Sequence, residues 1–163
     1  MSFLRYLMLL ALIAWIGGIS FFSFVLAPTV FGVLPTRQLA GNVVSRSLTS
    51  LHWMGMVAGL VFLAASLAHS RLAIGRTQAF APRNILVALM LLLTAVSQFE
   101  VTPKMATLRS AMGIIDNVPL SDPARLQFDA LHVWSTRLEG GVFLLGLVLA
   151  YLVARRMDAA EVA

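Results

Sequence analysis

The 163-residue chain contains no cysteine, which excludes disulfides, thiolate metal centres and cysteine nucleophiles. Charge is also scarce: 12% of residues are charged and 60% are apolar, whereas a soluble domain is about a quarter charged and about half apolar. So little charge excludes a soluble enzyme and a disordered chain. A nucleic-acid partner is excluded too, because the basic residues flank apolar runs, as membrane-interface anchors do. There is no Gly-rich phosphate loop, no nucleophile elbow, no His-Glu-x-x-His motif, no low-complexity tract and no internal repeat. The net charge of +5 therefore reads as a topology signal, and the length allows one compact unit.

What is present is a set of long uncharged runs: Tyr6 to Thr36, Ser47 to Ser70, Asn84 to Phe99 and Gly140 to Ala154. A helix needs about 20 apolar residues to cross a bilayer. The first two runs suffice. The last two draw in neighbours, and since Pro82-Arg83 and Arg155-Arg156 close their other ends, Glu100 and Glu139 are pulled inward. The expectation is an all-α integral membrane protein, a single four-helix domain over residues 1–163. The spans fall at approximately 6–34, 47–70, 84–104 and 136–155, and helices 2, 3 and 4 extend beyond the bilayer on one side. Val25-Leu26-Ala27 has the pattern of a signal-peptide cleavage site. The apolar stretch is longer than the usual ~7–15 residues of such peptides and Pro28 follows directly, so the segment reads as a retained helix ending near Leu34-Pro35. Thr36 caps the second helix, which ends near His69-Ser70; Pro103 kinks the third and Gly113 stops it; Asp122-Pro123 starts the fourth.

Orientation follows the arginines. Arg5, Arg71, Arg76, Arg83, Arg155 and Arg156 fall on one side, and Arg37, Arg46, Lys104, Arg109, Arg125 and Arg137 on the other. The counts tie, but the first set occupies shorter segments, which places both termini in the cytoplasm of a bacterial inner membrane. The lipid bilayer is the expected partner. The small-residue faces, Gly17 and Ser20 in helix 1, Gly55 and Gly59 in helix 2, Gly146 in helix 4, predict close helix packing. Gly55 and Gly59 serve either the bundle interior or a homo-oligomer contact, since one stripe cannot do both.

The polar residues are more informative. Alternating topology brings His52, Glu100, His132 and Glu139 to one depth, with Ser135, Arg137 and Lys104 as supporting polar groups. His132, Ser135 and Glu139 share a face at i, i+3 and i+7. Ionisable residues at the hydrocarbon edge turn inward, pair, and mark functional sites. Two imidazoles and two carboxylates suit zinc or copper(II); the same set also suits a salt-bridge network or a proton relay. Glu100 and Lys104, at i and i+4, form a surface pair in the plainer reading. Glu139 is expected to meet a group from another helix or a ligand. No catalytic set is predicted. The favoured reading is a non-enzymatic protein binding a metal ion or small ligand at the outer end of the bundle, in resistance or transport. Its alternatives are a haem or redox protein, with a b-type haem between His52 and His132, and a structural or assembly subunit.

Trp15-Ile16-Gly17-Gly18, Ala27-Pro28-Thr29-Val30-Phe31, Leu34-Pro35, Ala40-Gly41, Pro103-Lys104-Met105, Leu108-Arg109 and Phe128 to His132 follow one another in an order and spacing that resemble a bacterial domain-of-unknown-function membrane family. That family is related to the eukaryotic transmembrane protein associated with cisplatin resistance. The resemblance implies a four-helix membrane bundle; the chain departs from the pattern at Glu139, where many relatives are expected to carry Asn. Helix count and histidine placement are also similar to copper-resistance membrane proteins and small haem bundles, an analogy of architecture only.

Overall fold

The computed structural model describes residues 2–161, with side chains from 2 to 155; the side chains of Arg156, Asp158 and Glu161, used in the charge reading, lie outside the described residues. Four helices are long and apolar enough to cross a membrane: α1, Ser2–Val33; α2, Arg37–Ile74; α3, Pro82–Met112; and α4, Pro123–Glu161, whose apolar part is Pro123–Arg155. This is a multi-pass, all-helical membrane architecture; among the described residues there is no strand. At 32, 38, 31 and 39 residues, all four helices are longer than the ~20 residues a bilayer requires.

The ends of the helices have local causes. Thr36 is extended, and its hydroxyl accepts from the Leu39 N–H at 3.2 Å. Leu34, before Pro35, is extended as the proline ring demands. The Asp122 carboxylate accepts from the Ala124 and Arg125 N–H groups at 2.8 and 3.3 Å. Helix α2 continues past the expected His69-Ser70 to Ile74, because nothing in Arg71 to Ile74 breaks it; Gly75, at φ 75°, is the first residue able to turn the chain left-handed. Gly113, at φ 67°, ends α3.

Both internal prolines sit just after a wide turn. Phe22–Leu26 in α1 and Ser97–Val101 in α3 are π-helical, with the Ala27 N–H bonded to the Phe22 carbonyl and the Thr102 N–H to that of Ser97. Proline lacks an N–H and crowds the carbonyl four residues back; for Pro28 and Pro103 those carbonyls belong to Phe24 and Phe99, inside the wide turns. The expected kink at Pro103 is thus taken up by one extra residue in the turn, and the helix continues.

The helices form a ring in chain order, with α1 closing on α4. The α1–α2 seam is built on Trp15, only 3% exposed, whose indole lies where Gly55 and Gly59 present bare backbone; a Cβ on either glycine would collide with it. Gly146 gives the same clearance to Ile16 and Met90. In α1 the close approach belongs to Gly18, packed on Leu51 and Met54, and Gly17 has open space beside it. One residue is 100° of helix, so the two glycines face different neighbours. The core collects Leu12, Phe62, Val87, Met90 and Leu149, while Leu10, Leu60, Leu92, Leu144 and Tyr151 face outward as a lipid-contacting surface.

Candidate functional site

Three helices meet through one imidazole. His52 on α2 is 1% exposed. Its Nε2 is 2.5 Å from Glu139 Oε1 on α4, and its Nδ1 is 2.8 Å from Gln98 Oε1 in the wide turn of α3. Glu139 itself is 12% exposed. Toward a carboxylate the ring nitrogen donates. With the Gln98 oxygen accepting, the ring carries both protons and the pair is ionic; with the amide turned over, the ring is neutral. Either way, both ring nitrogens are engaged. Buried, paired and in contact with α3 and α4, this group ties three helices of the ring together and can hold a proton between α2 and α4.

The other sequence-indicated residues are distributed around it. Glu100 accepts from Lys104 Nζ at 2.8 Å on an exposed face of α3, away from His52. His132 is exposed, Ser135 is buried, and the Arg137 guanidinium lies over the Trp134 ring at 5.5 Å. Among the described residues, no group of three or more His, Asp or Glu side chains is close enough together to hold a metal ion. His52 and Glu139 form only a pair.

His132, Ser135 and Glu139 nevertheless share a purpose in space, since all three line a half-open cavity of about 440 Å³ bordered by all four helices. The α1 wall is apolar, with Phe22, Phe24 and Phe31. Leu48 and Ser45 come from α2, Thr102, Met105 and Arg109 from α3, Phe143 and Gly140 from α4. The first wide turn borders the site through Phe22 and Phe24, and the second is tied to it through the Gln98–His52–Glu139 contacts; π-turns inside α-helices frequently accompany functional sites. The size and the mainly apolar lining with a few convergent polar groups are those of a small-molecule pocket.

Sequence reasoning missed two participants. Gln98 is an uncharged side chain in an apolar run; its only signal is Pro103 five residues later. Arg109 is read from sequence merely as an outer charge, yet Thr102, Met105 and Arg109 lie at i, i+3 and i+7. Its Nη1 donates to the Gly41 carbonyl at 2.9 Å and its guanidinium stacks on Phe128 at 5.3 Å.

Residues 10–113 match the family model described as Domain of unknown function (DUF4149). The chain belongs to this family. The DUF4149 match takes in α1 from Leu10 onward, all of α2 and α3, and thus His52, Gln98, Gly41 and Arg109; it stops before α4 and Glu139. No curated protein and no solved structure matches the chain.

Proposed function

We propose that this DUF4149 protein binds a small, partly apolar molecule in the outer cavity, with the His52–Glu139 pair fixing the helices around it. The observation that carries this reading is the shared lining: a half-open cavity of about 440 Å³ bordered by side chains from every helix, with Glu139, Ser135 and His132 on one wall and Phe22, Phe24 and Phe31 on the other. An organic ligand is favoured over zinc or copper because His52 and Glu139 supply two ligands and both imidazole nitrogens are already engaged. A b-type haem would have to break one of those bonds to gain its axial nitrogen. The arginine distribution supports cytoplasmic termini in a bacterial inner membrane, so the cavity faces outward. A cavity at that surface suits a role in resistance or transport, in line with the resemblance to the cisplatin-resistance-associated protein.

Gly140 offers the test. It lines the cavity, and a Cβ built there meets nothing within 4 Å, so Gly140→Leu fills space without overpacking. The probe is cis-parinaryl alcohol, whose polyene accepts energy from Trp53 and Trp134, with protein in nanodiscs. Saturable transfer in the wild type that is lost in Gly140→Leu supports the reading. Saturable transfer that survives in Gly140→Leu, or none in the wild type, rejects it.

A further inference from the structure

The cavity has an unneutralised cation at its rim. Arg109 is partly buried, and among the described residues the ion pairs are His52–Glu139, Lys104–Glu100 and Arg125–Asp129; none includes Arg109. The one carboxylate lining the cavity, Glu139, is already held by His52. A guanidinium has five N–H donors, and Arg109 gives one to the Gly41 carbonyl while its face rests on Phe128. It lines the 440 Å³ cavity and also a second, more open one of about 700 Å³ bounded by Gln38, Asn42, Arg46 and Ser110. Arg109 is thus the wall common to two mainly apolar cavities, the second of which also carries Arg46. A partly desolvated cation with spare donors calls for an anion.

Building on the reading that the outer cavity binds a ligand, we infer that the ligand is an anionic amphiphile: hydrocarbon against Phe22, Phe24 and Phe143, and a carboxylate or phosphate monoester on Arg109 and Arg46. The two headgroups share the chemistry, and the experiment separates them. An uncharged amphiphile would leave the guanidinium without a counter-charge, and a free inorganic anion would leave the apolar chamber unfilled.

The experiment compares cis-parinaric acid with cis-parinaryl alcohol in nanodiscs, using Gly140→Leu as background. The acid is expected to bind about tenfold tighter than the alcohol, the gain of charge-assisted hydrogen bonds. Arg109→Gln should bring the two affinities to within about threefold, by weakening the acid more than the alcohol. Gly41→Ala acts on the same group without removing it, since the new Cβ would stand 3.3 Å from Arg109 Nη2; it should lower the ratio in a chain that still unfolds at the wild-type midpoint. Arg46→Gln, at an exposed side chain, gives a smaller drop and carries the test if Arg109→Gln fails to fold. Displacement of the acid by palmitate or by hexadecyl phosphate at lower concentration than hexadecanol supports the inference, and the better of the two names the headgroup. Equal affinity of acid and alcohol in the wild type, or an unchanged ratio in Arg46→Gln and Gly41→Ala together, overturns it while leaving the cavity reading standing. Failure of the alcohol itself would reject the cavity.

Discussion

A double-mutant cycle on His52 and Glu139 separates two descriptions of the same contact. The perturbations are His52→Gln, Glu139→Gln and both together, each keeping a polar side chain of similar reach. A neutral interhelical hydrogen bond in a membrane protein couples by about 0.6 kcal/mol on average and about 1.7 at most. Removing one partner of a buried ion pair costs about 3–5 kcal/mol, because the other charge is left without compensation. His52 is 1% exposed and Glu139 12%, so an ionic pair there would show a coupling of about 2–3 kcal/mol. Reversible unfolding in mixed micelles with SDS, followed by helical circular dichroism, reads the cycle. A coupling below about 1.7 kcal/mol means the ring is neutral and Gln98 donates to it. A coupling below about 0.5 kcal/mol, the level seen for residues that do not touch, would refute the pairing and with it the role of Glu139 as the tie between α2 and α4.

Other outcomes follow from the packing. Gly55→Ala should destabilise by about 1–3 kcal/mol by driving a methyl into the Trp15 indole, whereas Gly17→Ala, with open space beside it, should be neutral or stabilising by up to about 1 kcal/mol; thermal unfolding in detergent compares them. Gly140→Leu should raise the unfolding midpoint even as it abolishes ligand binding, and a lowered midpoint would mean the cavity is not there to be filled. Metal analysis should find no stoichiometric zinc or copper, with the unfolding midpoint indifferent to chelator; bound metal that disappears in His52→Gln would refute the organic-ligand reading. The cysteine-free chain suits single-cysteine mapping: Ser121→Cys should react with an impermeant maleimide from outside intact spheroplasts and Thr77→Cys only after lysis.

Much of the scaffold was legible because hydrocarbon imposes its own length. Uncharged runs, the Thr36 and Asp122 caps and the Gly113 stop locate the helices without tertiary information. Glu139 was legible for the same reason: with 15 uncharged residues before Arg155 it had to lie deep, and a deep charge needs company. Which group would keep it company, depth and topology left open; the structure supplies His52. The rest was hidden by register. Glu100 and Gln98 are two positions apart, about 200° around the helix, so only one of them can face His52, and the wide turn before Pro103 makes it the amide. Zinc-like clustering of His52, Glu100, His132 and Glu139 is a statement about depth alone, and depth leaves the azimuth of each residue free. The packing role of Gly18 rather than Gly17 is the same lesson on a smaller scale.

The paired wide turns in α1 and α3 divide the bundle into two storeys. Below them, Trp15 against Gly55 and Gly59 is a fit with no slack. Above them lies the cavity rim. Each turn holds one residue more than an α-helix would, so deleting one there, Ser23 or Phe99, leaves the segments on either side in the register they already have and removes only the slack that clears the proline ring. Pro28 or Pro103 would then press on the carbonyl four residues back, and the strain would fall between the storeys while the seam beneath stays intact. Relatives that lose the extra residue of a turn would have to lose its proline with it.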